Sequence, residues 1–86
     1  MSSISPLRHL AAAIRAMRRR RGLTQAALAE LAALPRLKII QIEKGDIGVS
    51  IGAYAATAAA LGSELSLAPL QRPTLEEARE LFADDD

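Results

Sequence analysis

Residues Thr24 to Gly45, TQAALAELAALPRLKIIQIEKG, constrain this chain more than any other stretch. Leu28, Leu31 and Ala32 recur at helical spacing, and so do Ile39 and Ile42. The stretch therefore reads as two short helices, each with one side to bury. Thr24 is placed to cap the first, and Pro35 or Arg36 to start the second, which leaves only a tight turn between them. On the second helix the opposite side carries Leu37, Ile40, Gln41 and Lys44, which cannot share the core with Ile39 and Ile42. That helix has an inner face and an outer one, and the outer face is mixed polar, basic and apolar.

The charge distribution gives the outer face a partner. Residues 1–44 carry nine Lys or Arg against Glu30 and Glu43, a balance of +7. Residues 45–86 carry Arg72 and Arg79 against eight acids, a balance of −6, so the formal net charge of +1 hides a strong asymmetry. A basic half that contains a two-faced helix is the electrostatic footprint of a phosphate-binding protein. Two helices joined by a few residues, the second offering polar and basic side chains, describe a helix-turn-helix reader of double-stranded DNA.

Composition excludes other classes. Eighty-six residues suit one small helical domain whose core relies on close Ala contacts and a few Leu and Ile anchors. One Phe, one Tyr and no Trp leave no aromatic platform for single-stranded bases. With no Cys and only His9, disulfide chemistry, thiol catalysis and the usual zinc sites are not expected, and neither is any cofactor. The N-terminal LAAAI run is broken up by Arg8, His9 and Arg15, unlike a signal peptide, and no apolar stretch is long enough to span a bilayer. The expectation is a soluble, cytoplasmic protein. Gly45, Gly48 and Gly52 lack the preceding strand and the GK[ST] ending of a phosphate loop and read as turn residues. No set of residues suits catalysis, so no enzyme is expected.

The remaining punctuation predicts an all-α fold of five helices with one short strand. Ser5 is expected to cap a first helix, with Pro6 in its first position, running to about Arg20 and closed by Gly22. Its buried stripe is Leu7, Leu10, Ile14 and Met17. A fourth helix follows Ser50, buries Ile51, Tyr54 or Ala55, Ala58 and Leu61, and ends at Gly62. Glu64 to Leu67 alternates polar and apolar residues, a weak strand pattern. Pro69 and Pro73 bracket a linker, Thr74 with Glu77 forms a capping box for a short last helix through Phe82, and Asp84 to Asp86 end the chain. Residues 1–68 thus form the DNA-binding domain with its strand, and residues 69–86 an acidic linker and short helix.

The motifs Ile14-Arg15-x-x-Arg18, Gly22-Leu23-Thr24-Gln25-x-x-Leu28-Ala29, Ile39-x-x-Ile42-Glu43-x-Gly45 and the later Ala-Leu61-Gly62 resemble those of the phage-repressor and Cro type of helix-turn-helix, the XRE family of bacterial regulators. The likeness covers about residues 8–67. Ala33 stands where that family usually has a turn Gly, which suits the chain if Ala33 stays right-handed, and Pro35, Leu37 and Ile40 replace small or polar residues. The resemblance implies a partly buried ion pair between Arg18 and Glu43 that fixes the third helix. It also implies that Gln25, at the start of the second helix, bonds a backbone phosphate.

On side-chain chemistry, Arg36 suits a bidentate bond to guanine or a phosphate contact, and Gln41 has the donor and acceptor pattern for adenine. Leu37 can only pack on a thymine methyl or a sugar. Lys38, Lys44 and some of Arg15 to Arg21 suit phosphates. Ile40 either contacts DNA or completes packing against a neighbouring helix. Leu65 and Leu67 lie on one side of a strand that needs a partner, and the economical partner is the same strand of a second copy across a two-fold axis. Such an intersubunit strand is similar to that of the HipB-like antitoxins, a branch of the same family. That likeness implies a homodimer on a palindromic operator, autoregulation and a HipA-like kinase toxin as partner. Leu37 and Ile40 also fit an alternative, a protein-interaction module that keeps the fold with little DNA binding of its own.

Overall fold

The computed structural model describes residues 5–67 and 79. Within them the chain is all-helical: α1 (Arg8–Arg20), α2 (Gln25–Ala32), α3 (Arg36–Glu43) and α4 (Ile51–Ala60). The expected last helix from Thr74, the linker and the acidic end lie outside the described residues. Residues 63–67 carry no regular secondary structure, so the expected strand is not formed in the single chain. A two-residue alternation has nothing to hydrogen-bond along unless a second strand is supplied.

Helices α1 to α4 are closed by the same backbone device. After each one a residue turns left-handed, and the N–H groups that follow return to the last helical carbonyls. Gly22, Gly45 and Gly62 take this position at φ 69°, 74° and 74°, and Ala33 takes it at φ 57°. The N–H of Leu34 reaches the Ala29 carbonyl at 2.9 Å, and that of Asp46 reaches the Gln41 carbonyl at 3.1 Å. Ala33 therefore does not meet the right-handed condition on which an Ala suits this turn: it closes α2, three residues before α3 starts, in the left-handed conformation. A left-handed Ala costs roughly 1–2 kcal/mol, of which a Gly would give back part through its looser unfolded chain. Ala33→Gly should therefore raise stability by roughly 0.5–1 kcal/mol, read as a higher denaturant midpoint with unchanged slope.

Helix starts divide between side-chain caps and none. Thr24 Oγ1 accepts from the Ala27 N–H at 3.0 Å and Ser50 Oγ from the Ala53 N–H at 3.1 Å, as their positions suggested. Ser5 does something else. Its Oγ accepts from the Leu7 N–H at 3.0 Å and donates to the Gly45 carbonyl, while α1 begins later, at Arg8, with no side-chain cap. A Cβ at position 45 would sit 3.1 Å from Ser5 Oγ, so Gly45 serves both the left-handed turn and this close approach.

The core joins all four helices. Ile14, Leu28, Ala29, Ile39, Ile42, Val49, Tyr54 and Leu61 form one buried cluster, with Leu7, Leu10, Met17, Leu23, Leu34 and Leu65 packed on its edge. Fully burying a Leu or Ile side chain contributes about 1.5–3 kcal/mol. Packing of α2 on both α3 and α4 is close because Ala29 and Ala58 lie in the core. Tyr54 is completely buried, and its hydroxyl donates to the Asp46 carbonyl at 2.9 Å, tying the loop after α3 to α4. Burial, helped by the nearby Asp46 charge, pushes its phenol pKa up.

Two expected core residues are outside. Leu31 is 59% exposed, because the inward stripe of α2 is Leu28, Ala29 and Ala32 and Leu31 falls beyond its edge. Ile51 is 67% exposed at the first position of α4, where Val49 fills the core instead, and Ala55 is exposed where Tyr54 is buried. Among the described residues no helix is long and apolar enough to cross a membrane.

Candidate nucleic-acid interface

Two turns of α3 decide what it shows to solvent. Ile39 and Ile42 are completely buried, which turns the opposite side outward: Leu37 is 64% exposed, Arg36 and Lys44 are exposed, and Ile40 and Gln41 are half-buried. Lys38, also half-buried, lies at the flank. The preceding Pro35 is extended at φ −63° and ψ 147° and sets the start of α3 directly after the tight turn. The side chains at that start, Arg36 and Leu37, are both exposed.

A cluster at the other end locks α3 in place. Arg18 Nε donates to Glu43 Oε2 at 2.6 Å and Arg18 Nη2 to Oε1 at 3.1 Å, a bidentate pair between α1 and the last residue of α3. The remaining Nη1 donates to the Leu23 carbonyl at 2.8 Å, and Gln25 Nε2 donates to Glu43 Oε1 at 3.2 Å. Only 11% of the Arg18 side chain and 4% of that of Glu43 are exposed. The hydrogen bond to Glu43 pushes the Arg18 pKa further up against the opposing effect of burial, so the guanidinium stays charged at any working pH. The Glu43 carboxylate thus joins α1 and the start of α2 to the end of α3, and its partner Arg18 also holds the turn after α1.

Gln25 is placed differently from the simple phosphate contact expected of it. Its carboxamide is engaged by Glu43, with one of its two amide hydrogens left for another acceptor. Beside it lies a depression of about 190 Å³ lined by Arg15, Gln25, Ile40, Glu43 and Lys44. Here Arg15 from α1 and Lys44 from the end of α3 flank the start of α2, where helix N–H groups lack ladder partners and only that of Ala27 is taken by Thr24. Two cations and a helix start suit an anion. Ile40 faces this depression as well as the outer surface, so it belongs to the rim between the two roles considered for it.

The basic run divides in the same way. Arg18 is spent inside the protein, and Arg21 lies against Gly62 at the end of α4, where a Cβ would meet its Nη2 at 3.0 Å. Arg15 is the member brought to the candidate interface, a selection that helical spacing from Arg18 could have suggested but charge counting did not. Leu65 packs on the core edge, and Leu67 is fully exposed. Both line a groove of about 790 Å³ with Pro6, Leu7, Leu10 and Ile51, on the side formed by the start of α1, the start of α4 and the segment after it.

Comparison with known proteins agrees with this geometry. A family model described as a helix-turn-helix domain matches residues 9–70. Two solved chains share the fold, one described as "MDT Protein" and one from "Structure of HipA-HipB-O2-O3 complex". Each superposes with a TM-score of 0.68 at 20% sequence identity, covering 83% of this chain and 100% of the other. At that identity the likeness is one of fold. A search of curated proteins returned no match.

Proposed function

Since the chain belongs to the helix-turn-helix domain family, we propose that it is a non-catalytic, sequence-specific regulator of transcription that binds double-stranded DNA as a dimer and acts as a cytoplasmic repressor. The observation that carries this is the outer face of α3. Arg36, Leu37 and Lys44 are exposed and Gln41 half-exposed on a helix whose other side is sealed in the core, with Arg15 beside Lys44. Arg36 and Gln41 read base edges in the major groove, Lys38, Lys44 and Arg15 hold phosphates, and Gln25 adds its remaining hydrogen from the start of α2.

The dimer forms across the apolar groove beside Leu65 and Leu67, where residues 64–67 of two copies pair as strands around a two-fold axis. Two-fold symmetry then calls for a palindromic operator, with half-sites about one helical turn apart. The fold shared with a chain of a HipA-HipB complex supports the antitoxin branch, in which the protein represses its own operon and binds a HipA-like kinase toxin. The exposure of Leu37 also favours a second reading, an interaction module with little DNA binding of its own. Binding-site selection separates the two. Arg36→Ala and Gln41→Ala should each lose information at one symmetric pair of positions, worth about 1–3 kcal/mol for a bidentate contact. Failure to enrich any sequence would favour the interaction module.

A further inference from the structure

Leu37 is the anomaly of the outer face. It is 64% exposed, it belongs to the first turn of α3, and in sequence it stands between the cationic Arg36 and Lys38. A large apolar side chain held out in solvent gains nothing in water and is stabilised when an apolar group covers it. On the reading of α3 as the helix that enters the major groove, we infer that Leu37 is a specificity-determining residue that recognises the C5-methyl group of a thymine in each half-site.

The chemistry is selective in both directions. The thymine methyl is the one apolar group that base edges offer in the major groove. A G·C pair under Leu37 would instead lose water from the guanine O6 and the cytosine amino group with nothing to replace it, which is penalised. Gln41 lies one turn along the same face, four residues and therefore about 6 Å away along the axis. It pairs with adenine, so each half-site carries a thymine and an adenine within about two base steps. Leu37 excludes as much as it attracts.

The methyl group can be removed without touching base pairing. Duplexes enriched by the wild-type protein from a random pool are remade with uracil in place of each thymine in turn, and affinity is measured for wild type and Leu37→Ala. Uracil at one symmetric pair of positions should weaken wild-type binding about fourfold per methyl, and about fifteenfold for both half-sites, from the transfer value for one buried carbon. Leu37→Ala should bind thymine and uracil duplexes equally while unfolding at the same denaturant concentration as wild type. Equal wild-type affinity for all uracil duplexes would overturn this inference and leave the DNA-binding function standing. Discrimination that survives in Leu37→Ala would overturn it too. A protein that enriches no duplex would remove both.

Discussion

Glu43→Ala and Arg18→Ala should each destabilise the domain by about 3–5 kcal/mol, enough to remove much of the stability of a domain this small. The size follows from burial. With 4% of the Glu43 side chain and 11% of that of Arg18 exposed, deleting either partner leaves a charge that water cannot reach easily. Glu43→Ala also strands Gln25 Nε2 and two guanidinium donors. Replacing both partners with apolar residues of similar volume should recover most of the loss, because the paired desolvation cost disappears with the pair. Urea unfolding of the two single variants and of the double variant Arg18→Met/Glu43→Leu checks this. Single variants within 1 kcal/mol of wild type would mean that α3 is held by packing alone.

Leu67→Asp should separate the subunits and weaken operator binding by a factor of about 10²–10⁴, because the second half-site is no longer bound intramolecularly. Leu67 is the residue to change. It is fully exposed in the single chain, so its replacement leaves the fold intact, whereas Leu65 packs on the core edge and an Asp there would damage both. Sedimentation and binding measured on the same preparation give the two readouts. A Leu67→Asp protein that remains dimeric, or a wild type that is monomeric at high micromolar concentration, would refute the groove as the interface.

Much of this architecture could be read from local patterns. The α2–α3 pair was legible because Ile39 and Ile42 fall on one side and Leu37, Gln41 and Lys44 on the other, and the caps Thr24 and Ser50 mark helix starts directly. What stayed hidden depends on residues distant in sequence. Ser5 looks like a cap until Gly45, forty residues on, offers its carbonyl. Leu31 fits the periodicity of α2, but in a helix of eight residues the exact direction of the core decides between neighbours, and that direction is set by α3 and α4 together. Ala33 shows the same limit in the backbone, since the turn geometry is imposed by the two helices it joins and not by its own preference. At the interface, the residue types were legible and their pairing was not: nothing local says that Gln25 would be held by Glu43, or that Arg15 and not Arg21 would stand beside Lys44.

The central claim is that the surface built by Arg15, the start of α2 and the outer face of α3 binds the phosphates and bases of duplex DNA. Its most direct test is affinity for the duplex upstream of the protein's own gene, measured across a range of salt concentrations for wild type and Lys44→Ala. Binding should weaken by about 0.9 log units per phosphate contact for each log unit of salt. Lys44→Ala should weaken all sequences alike and flatten that slope by about one contact. Binding that does not respond to salt, or no binding to this or any other duplex, would contradict it.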